Sequence, residues 1–122
     1  MKSLDEFVLN YEEATNSHDF DRCAPLIETD AIYYFSDGTF IGINQIRQAF
    51  ESTWKAIENE VYEIKNVEWL HKEEDIGVCV YDFSWKGIVN GEQKSGGGRG
   101  TNVIVKKENA WKMVHEHLSK SP

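Results

Sequence analysis

The sequence predicts an α+β fold in which a curved sheet covers helices on one face and leaves a cavity. Helical periodicity fills most of the first half of the chain, and from Glu60 onward the period of the apolar residues changes to two. Helices that are segregated from antiparallel strands are typical of α+β folds and not of βαβ repeats. The final strand carries apolar side chains on both faces, so one face needs a helix layer and the other a different cover. We expect one domain over residues 1–122.

The first helix is predicted from a capping box, Ser3-Leu4-Asp5-Glu6, in which Ser3 caps the helix and Glu6 reaches back. Its apolar residues lie on one stripe, and it ends near Asn16. Asp19 is expected to cap a short second helix. Pro25 fits badly inside that helix, so a break is expected there.

A strand pair and a longer helix follow. The strand Ala31–Phe35 leads through a turn into a short return strand at Thr39–Ile41. Asn44 is expected to cap the main helix, in which four apolar residues recur at helical spacing. They are Ile46, Phe50, Trp54 and Ile57.

The second half of the chain reads as four antiparallel strands. Asn90-Gly91 is a strong hairpin signal, and Glu108–Ala110 forms a second turn. The glycine run Gly96–Gly100 precedes a strand, whereas phosphate loops precede a helix, so we expect it to bend or bulge a long strand. The predicted strands are Val61–Leu70, Ile76–Lys86, Thr101–Lys106 and Trp111–Ser119.

Composition excludes several classes of function. The net charge is −8, which opposes binding to nucleic acid or to an anionic membrane. No apolar run approaches the roughly 20 residues that a membrane span needs. Cys23 and Cys79 lack a CxxC spacing and are expected to be free core thiols, so we predict a cytoplasmic location.

Three aromatic residues share one face of the strand Ile76–Lys86, namely Tyr81, Phe83 and Trp85. One interpretation makes them the core beneath the helices. The other makes them the wall of an apolar pocket where the sheet bends away from the helices. Both can hold at different ends of the strand.

Few polar groups are placed to face such a pocket. The Tyr11 hydroxyl needs a partner if it is enclosed, and Asn102 is a further candidate. Strict alternation puts Glu116 on the face of Val114 and Leu118. If that face lines the cavity, desolvation raises the pKa of Glu116 into a useful acid–base range; otherwise Glu116 is solvated near the open end.

His115 and His117 are spaced as two metal ligands on a strand could be, but no third ligand is apparent nearby. Packing and hydrogen bonding at a subunit interface is the stronger interpretation. No motif for nucleophilic catalysis is present. We therefore expect neither a metal nor a cofactor.

Two segments carry a family resemblance: Asn16-Ser17-His18-Asp19-Phe20-Asp21 near the start, and Trp111–Ser119 at the end. Together with the element order they resemble the nuclear transport factor 2-like superfamily, in its SnoaL-like, polyketide-cyclase-like branch. The resemblance runs from Leu4 to Ser119. It implies a cone-shaped α+β roll of the cystatin-like kind with a cavity at its open end. It also implies a homodimer through the convex sheet face.

Two members of the superfamily sharpen the reading of single residues. Similarity to ketosteroid isomerase places Tyr11 at the oxyanion-donating tyrosine, but it places Phe35 at the catalytic base, which Phe35 cannot replace. Similarity to the association domain of calcium/calmodulin-dependent protein kinase II places Asn102 and Leu118 at pocket arginines, so the charge for an anionic ligand is absent. Both similarities put Trp111, His115 and His117 on the opposite, dimeric face.

The resemblance thus implies a pocket for a small hydrophobic molecule. Glu116 would act as a proton shuttle and Tyr11 or Asn102 would polarise a carbonyl group, in chemistry of the isomerase, cyclase or dehydratase type. The alternative is a non-catalytic homodimeric binding or assembly module. The expected pocket residues are Tyr33, Phe35, Trp54, Tyr81, Phe83, Trp85, Asn102, Val114 and Leu118.

Overall fold

The computed structural model describes residues 3–121. In that part of the chain three α-helices and six strands follow one another, in an order that matches the sequence prediction. The helices are α1 (Leu4–Asn16), α2 (Phe20–Cys23) and α3 (Ile43–Ala56), with a 3-10 turn at Ala24–Leu26. The strands are β1 (Ile27–Phe35), β2 (Gly38–Ile41), β3 (Glu58–Lys72), β4 (Ile76–Val89), β5 (Glu92–Lys107) and β6 (Ala110–Lys120).

The six strands form one mixed sheet in the order β2-β1-β6-β5-β4-β3. Only the β1–β6 pair is parallel; the other neighbouring pairs are antiparallel. The predicted α+β class is confirmed. Tight hairpins join β4 to β5 and β5 to β6, since Asn90, Gly91, Glu108 and Asn109 all take positive φ angles.

The sheet curls around α3. This helix contacts β1 and β2 at one end of the strand order and β3 at the other end. Phe35 of β1 and Tyr62 of β3 also line one cavity together with Phe50 and Trp54 of this helix. Two asparagines with positive φ, Asn59 (54°) and Asn66 (55°), fall inside the register shifts of β3. Such bulges bend a strand and so support the curvature.

The ends of the helices follow the sequence with one exception. Ser3 and Glu6 form the predicted capping box, Asp19 accepts a hydrogen bond from the Asp21 amide at 3.0 Å, and Pro25 lies in the 3-10 turn that ends α2. The prediction that Asn44 caps the main helix is wrong. The helix begins at Ile43, because Gly42 (φ 86°) turns the chain out of β2 and its carbonyl accepts the first helical hydrogen bond.

The last strand departs from strict alternation. The register of β5 with β6 shifts so that Val103 pairs with His115 and Ile104 with Met113, which leaves Val114 as an extra residue. The bulge reverses the faces of the residues before it. Trp111 (9% exposed) and Met113 (0%) therefore pack into the core beneath the helices. The expectation that Trp111 lies on the convex face with His115 and His117 is wrong for this reason.

We expected the glycine run to bend or bulge β5. It does not form a bulge against β4. The β4–β5 register is continuous from Ile76–Val105 to Val89–Glu92. A Cβ atom on Gly96 would lie 2.6 Å from Trp85 Nε1, and one on Gly100 would lie 2.6 Å from the Tyr81 hydroxyl oxygen. Glycine is therefore needed here because the two rings of β4 lie directly over the β5 backbone.

The edge strand β3 is fixed by side chains of α1. The Asn16 amide group donates to the Tyr62 carbonyl at 2.8 Å and accepts from the Tyr62 amide at 2.7 Å. Glu12 accepts from the Ile64 amide at 2.7 Å. These bonds occupy backbone groups that an edge strand would otherwise leave open. They also hold the start of β3, which carries residues of the site, in a defined position.

Candidate functional site

A cavity of about 670 Å³ lies between α1, α3 and the curved sheet. This volume falls within the range of small-molecule sites in proteins. Exposed Asp37 and Lys120 stand at its rim. Aromatic side chains dominate its walls, and they are Phe35, Phe50, Trp54, Tyr62, Phe83 and Trp85.

Glu116 is enclosed in the wall of this cavity. It lies in β6 opposite Asn102 of β5 and is 3% exposed. Burial raises the pKa of the Glu116 carboxyl to about 8, although hydrogen bonding from the Tyr11 and Tyr81 hydroxyls acts in the opposite direction. At neutral pH this carboxyl therefore holds its proton for most of the time. It can donate a proton to a ligand or, once ionised, accept one.

Phenol groups surround the carboxyl on two sides. On one side, the Tyr11 hydroxyl from α1 and the Tyr33 hydroxyl from β1 are 2.8 Å apart, and both side chains are buried. On the other side, the Tyr81 hydroxyl donates to Asn102 Oδ1 at 2.9 Å and lies 3.5 Å from Glu116 Oε1. Burial, followed by the charge of Glu116, holds the pKa of Tyr11 and of Tyr81 well above the usual value for a phenol. These phenols therefore act as hydrogen-bond donors and not as bases.

Two buried polar atoms find no hydrogen-bond partner within residues 3–121: the Tyr62 hydroxyl and Asn102 Nδ2. Leaving such a group unpaired is unfavourable by about 1–3 kcal/mol. Tyr62 lines the cavity, whereas Asn102 lies behind the wall. The Tyr62 hydroxyl oxygen is itself enclosed, beside the Tyr81 hydroxyl, while the Tyr62 side chain forms part of the cavity wall.

Glu60 is a second carboxyl group of the cavity, and the sequence analysis did not single it out. It is 8% exposed, and burial raises its pKa to about 7. His18 Nε2 lies 2.9 Å from the Glu60 carbonyl oxygen, and the His18 ring stacks on Trp54 at a centroid distance of 5.3 Å. The sequence did contain a signal, because period-two spacing puts Glu60 on the face of Tyr62 and Ile64.

The structure brings seven of the expected site residues into the cavity lining, and they are Tyr11, Phe35, Trp54, Phe83, Trp85, Glu116 and Leu118. Four other expected pocket residues are not part of the lining. Tyr33, Tyr81 and Asn102 are fully or almost fully buried behind it, where they hydrogen-bond to or support residues of the wall. Val114 is the bulge residue of β6, so it leaves the alternation that would have turned it inward.

The two histidines of β6 lie on the convex face of the sheet. His115 Nδ1 lies 2.7 Å from the Ile32 carbonyl oxygen, and the Tyr34 ring meets both imidazoles edge-on at 5.0 and 5.6 Å. Across residues 3–121 no three His, Cys, Asp or Glu side chains are grouped as metal ligands would be. The pair is thus part of a surface cluster of rings.

The two cysteines are free and buried. Burial raises the pKa of Cys23 to about 12 and that of Cys79 to about 11, so neither is a thiolate at neutral pH. Among the helices between residues 3 and 121, none has the length and apolar character needed to cross a membrane.

Comparison with known protein families agrees with this fold and cavity. Residues 4–122 match the family model of the SnoaL-like domain. The protein therefore belongs to the SnoaL-like family, within the nuclear transport factor 2-like group of folds. No curated protein matches the chain.

Solved structures share the fold at low sequence identity. A nuclear transport factor 2-like superfamily protein from Salmonella enterica is 19% identical over 96% of this chain and 87% of its own, with a TM-score of 0.88. A protein with a cystatin-like fold from Caulobacter vibrioides is 20% identical over 98% and 88%, with a TM-score of 0.83. The association domain of the C. elegans kinase CaMKII is 20% identical over 96% and 92%, with a TM-score of 0.77.

Proposed function

We propose that the protein binds a small, largely apolar carbonyl compound in the aromatic cavity and that Glu116 exchanges a proton with it. The observation that carries this proposal is an enclosed carboxyl, 3% exposed, in the wall of an open cavity of about 670 Å³. Its pKa of about 8 lies near the operating pH, which is what general acid–base catalysis requires.

Each polar group near Glu116 has a part in this proposal. The Tyr11 hydroxyl polarises the carbonyl oxygen of the ligand by donating a hydrogen bond, as an oxyanion donor does. Glu116 takes or returns the proton beside that carbonyl. Asn102, which we expected to touch the ligand, instead orients Tyr81. Phe35 contributes only apolar surface, so the reaction differs from one that needs a carboxylate at that position.

The first experiment is a thermal-shift screen against steroids, aromatic polyketide fragments, fatty acids and small keto acids. A ligand at 100 times its dissociation constant stabilises the folded state by about 2.7 kcal/mol, which shifts the melting temperature measurably. We expect the stabilising compounds to be cyclic carbonyl compounds. If no carbonyl compound stabilises the protein, this proposal is wrong.

The second experiment tests catalysis on the compounds that bind. Each is incubated in D₂O, and exchange of the protons next to its carbonyl group is followed by NMR. Glu116→Gln should lose exchange at least tenfold while it still binds the compound. Glu63→Gln is the matched control, because Glu63 is exposed on the opposite face of β3. If Glu116→Gln and the wild type exchange protons equally fast, the proposed proton transfer by Glu116 is wrong and only ligand binding remains.

We also propose that two copies of the chain associate through the convex face of the sheet. Ile32 (38% exposed) and Tyr34 (42%) of β1 lie there beside His115 and His117, and half-buried valines of β4 and β5 extend the surface. Exposed apolar area of this kind marks interaction surfaces. One solved structure of this fold is named an association domain. This surface also supports the alternative function, a non-catalytic binding or assembly module. The two free cysteines favour a cytoplasmic location.

A further inference from the structure

We propose that the carbonyl compound bound in this cavity also carries a protonated amine on its apolar ring, and that the Glu60 carboxylate is the partner of that amine. The inference rests on the proposed function, because it names the class of molecule that the same cavity would take. It adds a recognition group at the start of β3, away from Glu116 on β6.

The carboxyl of Glu60 faces the cavity and has no protein partner among residues 3–121. The residue is 8% exposed and lines the cavity. Within residues 3–121, no hydrogen-bond donor and no lysine, arginine or histidine pairs with its carboxyl oxygens. An ionised carboxylate in such a place is strongly unfavourable unless it meets a positive charge or a donor. A cation that enters the cavity would supply both.

The backbone that carries this carboxyl is held in place by two side chains. His18 bonds the Glu60 carbonyl at 2.9 Å, and Asn16 bonds both backbone groups of Tyr62. The carboxyl is therefore attached to an ordered stretch of backbone. This order reduces the conformational freedom that is lost when a ligand binds.

The surroundings of Glu60 suit an ammonium group. Trp54, Tyr62 and Trp85 line the same cavity, and aromatic rings attract cations through their negative faces. Burial, followed by the charge of Glu116, holds the pKa of Tyr62 well above the usual value for a phenol, and the charge of Glu60 acts in the same direction.

The ionisable groups of the lining also favour a cation over an anion. Among residues 3–121 the charged side chains of the lining are three carboxyls, Glu60, Glu116 and Asp37, and one cation, Lys120, which is exposed at the rim. That part of the chain contributes no arginine or histidine to the lining. A carboxylate or phosphate ligand would meet uncompensated negative charge and lose its hydration, so it is disfavoured.

The test uses ring-matched pairs that differ only in the charged group. Isothermal titration calorimetry at pH 8 compares benzylamine with benzyl alcohol, phenethylamine with 2-phenylethanol, and tryptamine with tryptophol; indole-3-acetate serves as the anion. We expect at least one pair to bind, with its amine at least tenfold tighter than its alcohol and with the anion weakest. This comparison needs only the wild-type protein.

Variants then assign the preference to one residue. Glu60→Gln should reduce the ratio of amine to alcohol affinity to threefold or less while it keeps binding the alcohol. Glu63→Gln removes the same charge from the opposite face of β3 and should keep the tenfold ratio.

The outcomes distinguish the two proposals. Equal binding of amine and alcohol would overturn cation recognition and leave the apolar pocket in place. Survival of the preference in Glu60→Gln would also overturn it, because the partner would be a different group. Absence of binding by every member of every pair would overturn cation recognition; the thermal-shift screen for carbonyl compounds then decides the proposed function separately.

Discussion

Glu116 binds its proton more tightly in the folded protein than in the unfolded chain, because burial disfavours its ionised form. Its pKa is about 8 when folded, against 4.5 for an unperturbed glutamate. Below pH 4.5 both states hold the proton, and the group has no effect on stability. Between the two values the unfolded chain releases the proton and the folded protein keeps it. The free energy of unfolding therefore falls as the pH rises through this window.

We predict that Glu116→Gln flattens this pH dependence. Glutamine cannot ionise, so the variant avoids a loss on the order of a few kcal/mol, at 1.36 kcal/mol per pKa unit, between pH 5 and pH 9. Urea denaturation of both proteins across that range measures the difference. Glu63→Gln, in which an exposed group is replaced, should run parallel to the wild type. A constant offset between Glu116→Gln and the wild type at every pH would contradict the prediction.

At the scale of single residues, the sequence indicated Glu116 and Tyr11 but not Glu60. Tyr11 lies on a regular helical stripe, whose period identifies its buried face. Glu60 falls between the predicted helix end and the predicted strand start at Val61, whereas β3 already begins at Glu58. The bulge with positive φ at Asn59 separates the two patterns and hid the inward position of Glu60.

At the scale of elements, β5 is shaped by the rings of β4. Gly100 pairs with Tyr81, and the Tyr81 ring occupies the space that a side chain at position 100 would need. The Tyr81 hydroxyl in turn contacts Asn102 and Glu116. The absence of a side chain in β5 thus sets the position of a ring that contacts the proposed acid.

We predict that Gly100→Ala destabilises the protein by about 1–3 kcal/mol, as overpacking of a core does. The ring of Tyr81 must move, which weakens its hydrogen bond to Asn102 and its contact with Glu116. The pKa of Glu116 should then rise further, because one group that lowers it is withdrawn. Urea denaturation at pH 7 and the pH dependence of stability measure the two effects.

Gly38→Ala is the matched control for this prediction. The nearest atom to a Cβ there is Phe40 Cζ at 3.4 Å, which is close to ordinary contact. Alanine loses less backbone conformational entropy than glycine on folding. A replacement without strain should therefore be neutral or slightly stabilising. If both variants have the same stability, the glycine at position 100 is not required to make space for the Tyr81 ring.

The order and type of the elements could be predicted because each has a local signal: a capping box, a hairpin dipeptide or a change of period. The faces of β6 could not be predicted in full. Alternation holds only while the register is constant, and the shift at Val114 depends on how β5 and β6 pair. The glycine run was expected to bend or bulge the strand, and its actual requirement for glycine could not be foreseen, since the cause lies in the rings of the neighbouring strand.

At the scale of the whole molecule, the sheet has one face on the helices and the cavity, and one face open. The convex face carries the cluster of Tyr34, His115 and His117, with Ile32 beside it. His115 bonds the Ile32 carbonyl, which holds β1 and β6 together at this point. A second copy placed on this face would bury apolar surface worth about 25 cal/mol per Å².

We predict that the protein is a dimer at micromolar concentration and that Tyr34→Glu makes it a monomer. The new carboxylate would lose its hydration on entering the contact, which is unfavourable by several kcal/mol. Light scattering coupled to size-exclusion chromatography measures the mass of each protein. Leu9→Glu is the control, because Leu9 is equally apolar and 64% exposed but lies on α1. A wild-type monomer, or a Tyr34→Glu dimer, would contradict association through the convex face and leave the cavity to be tested alone.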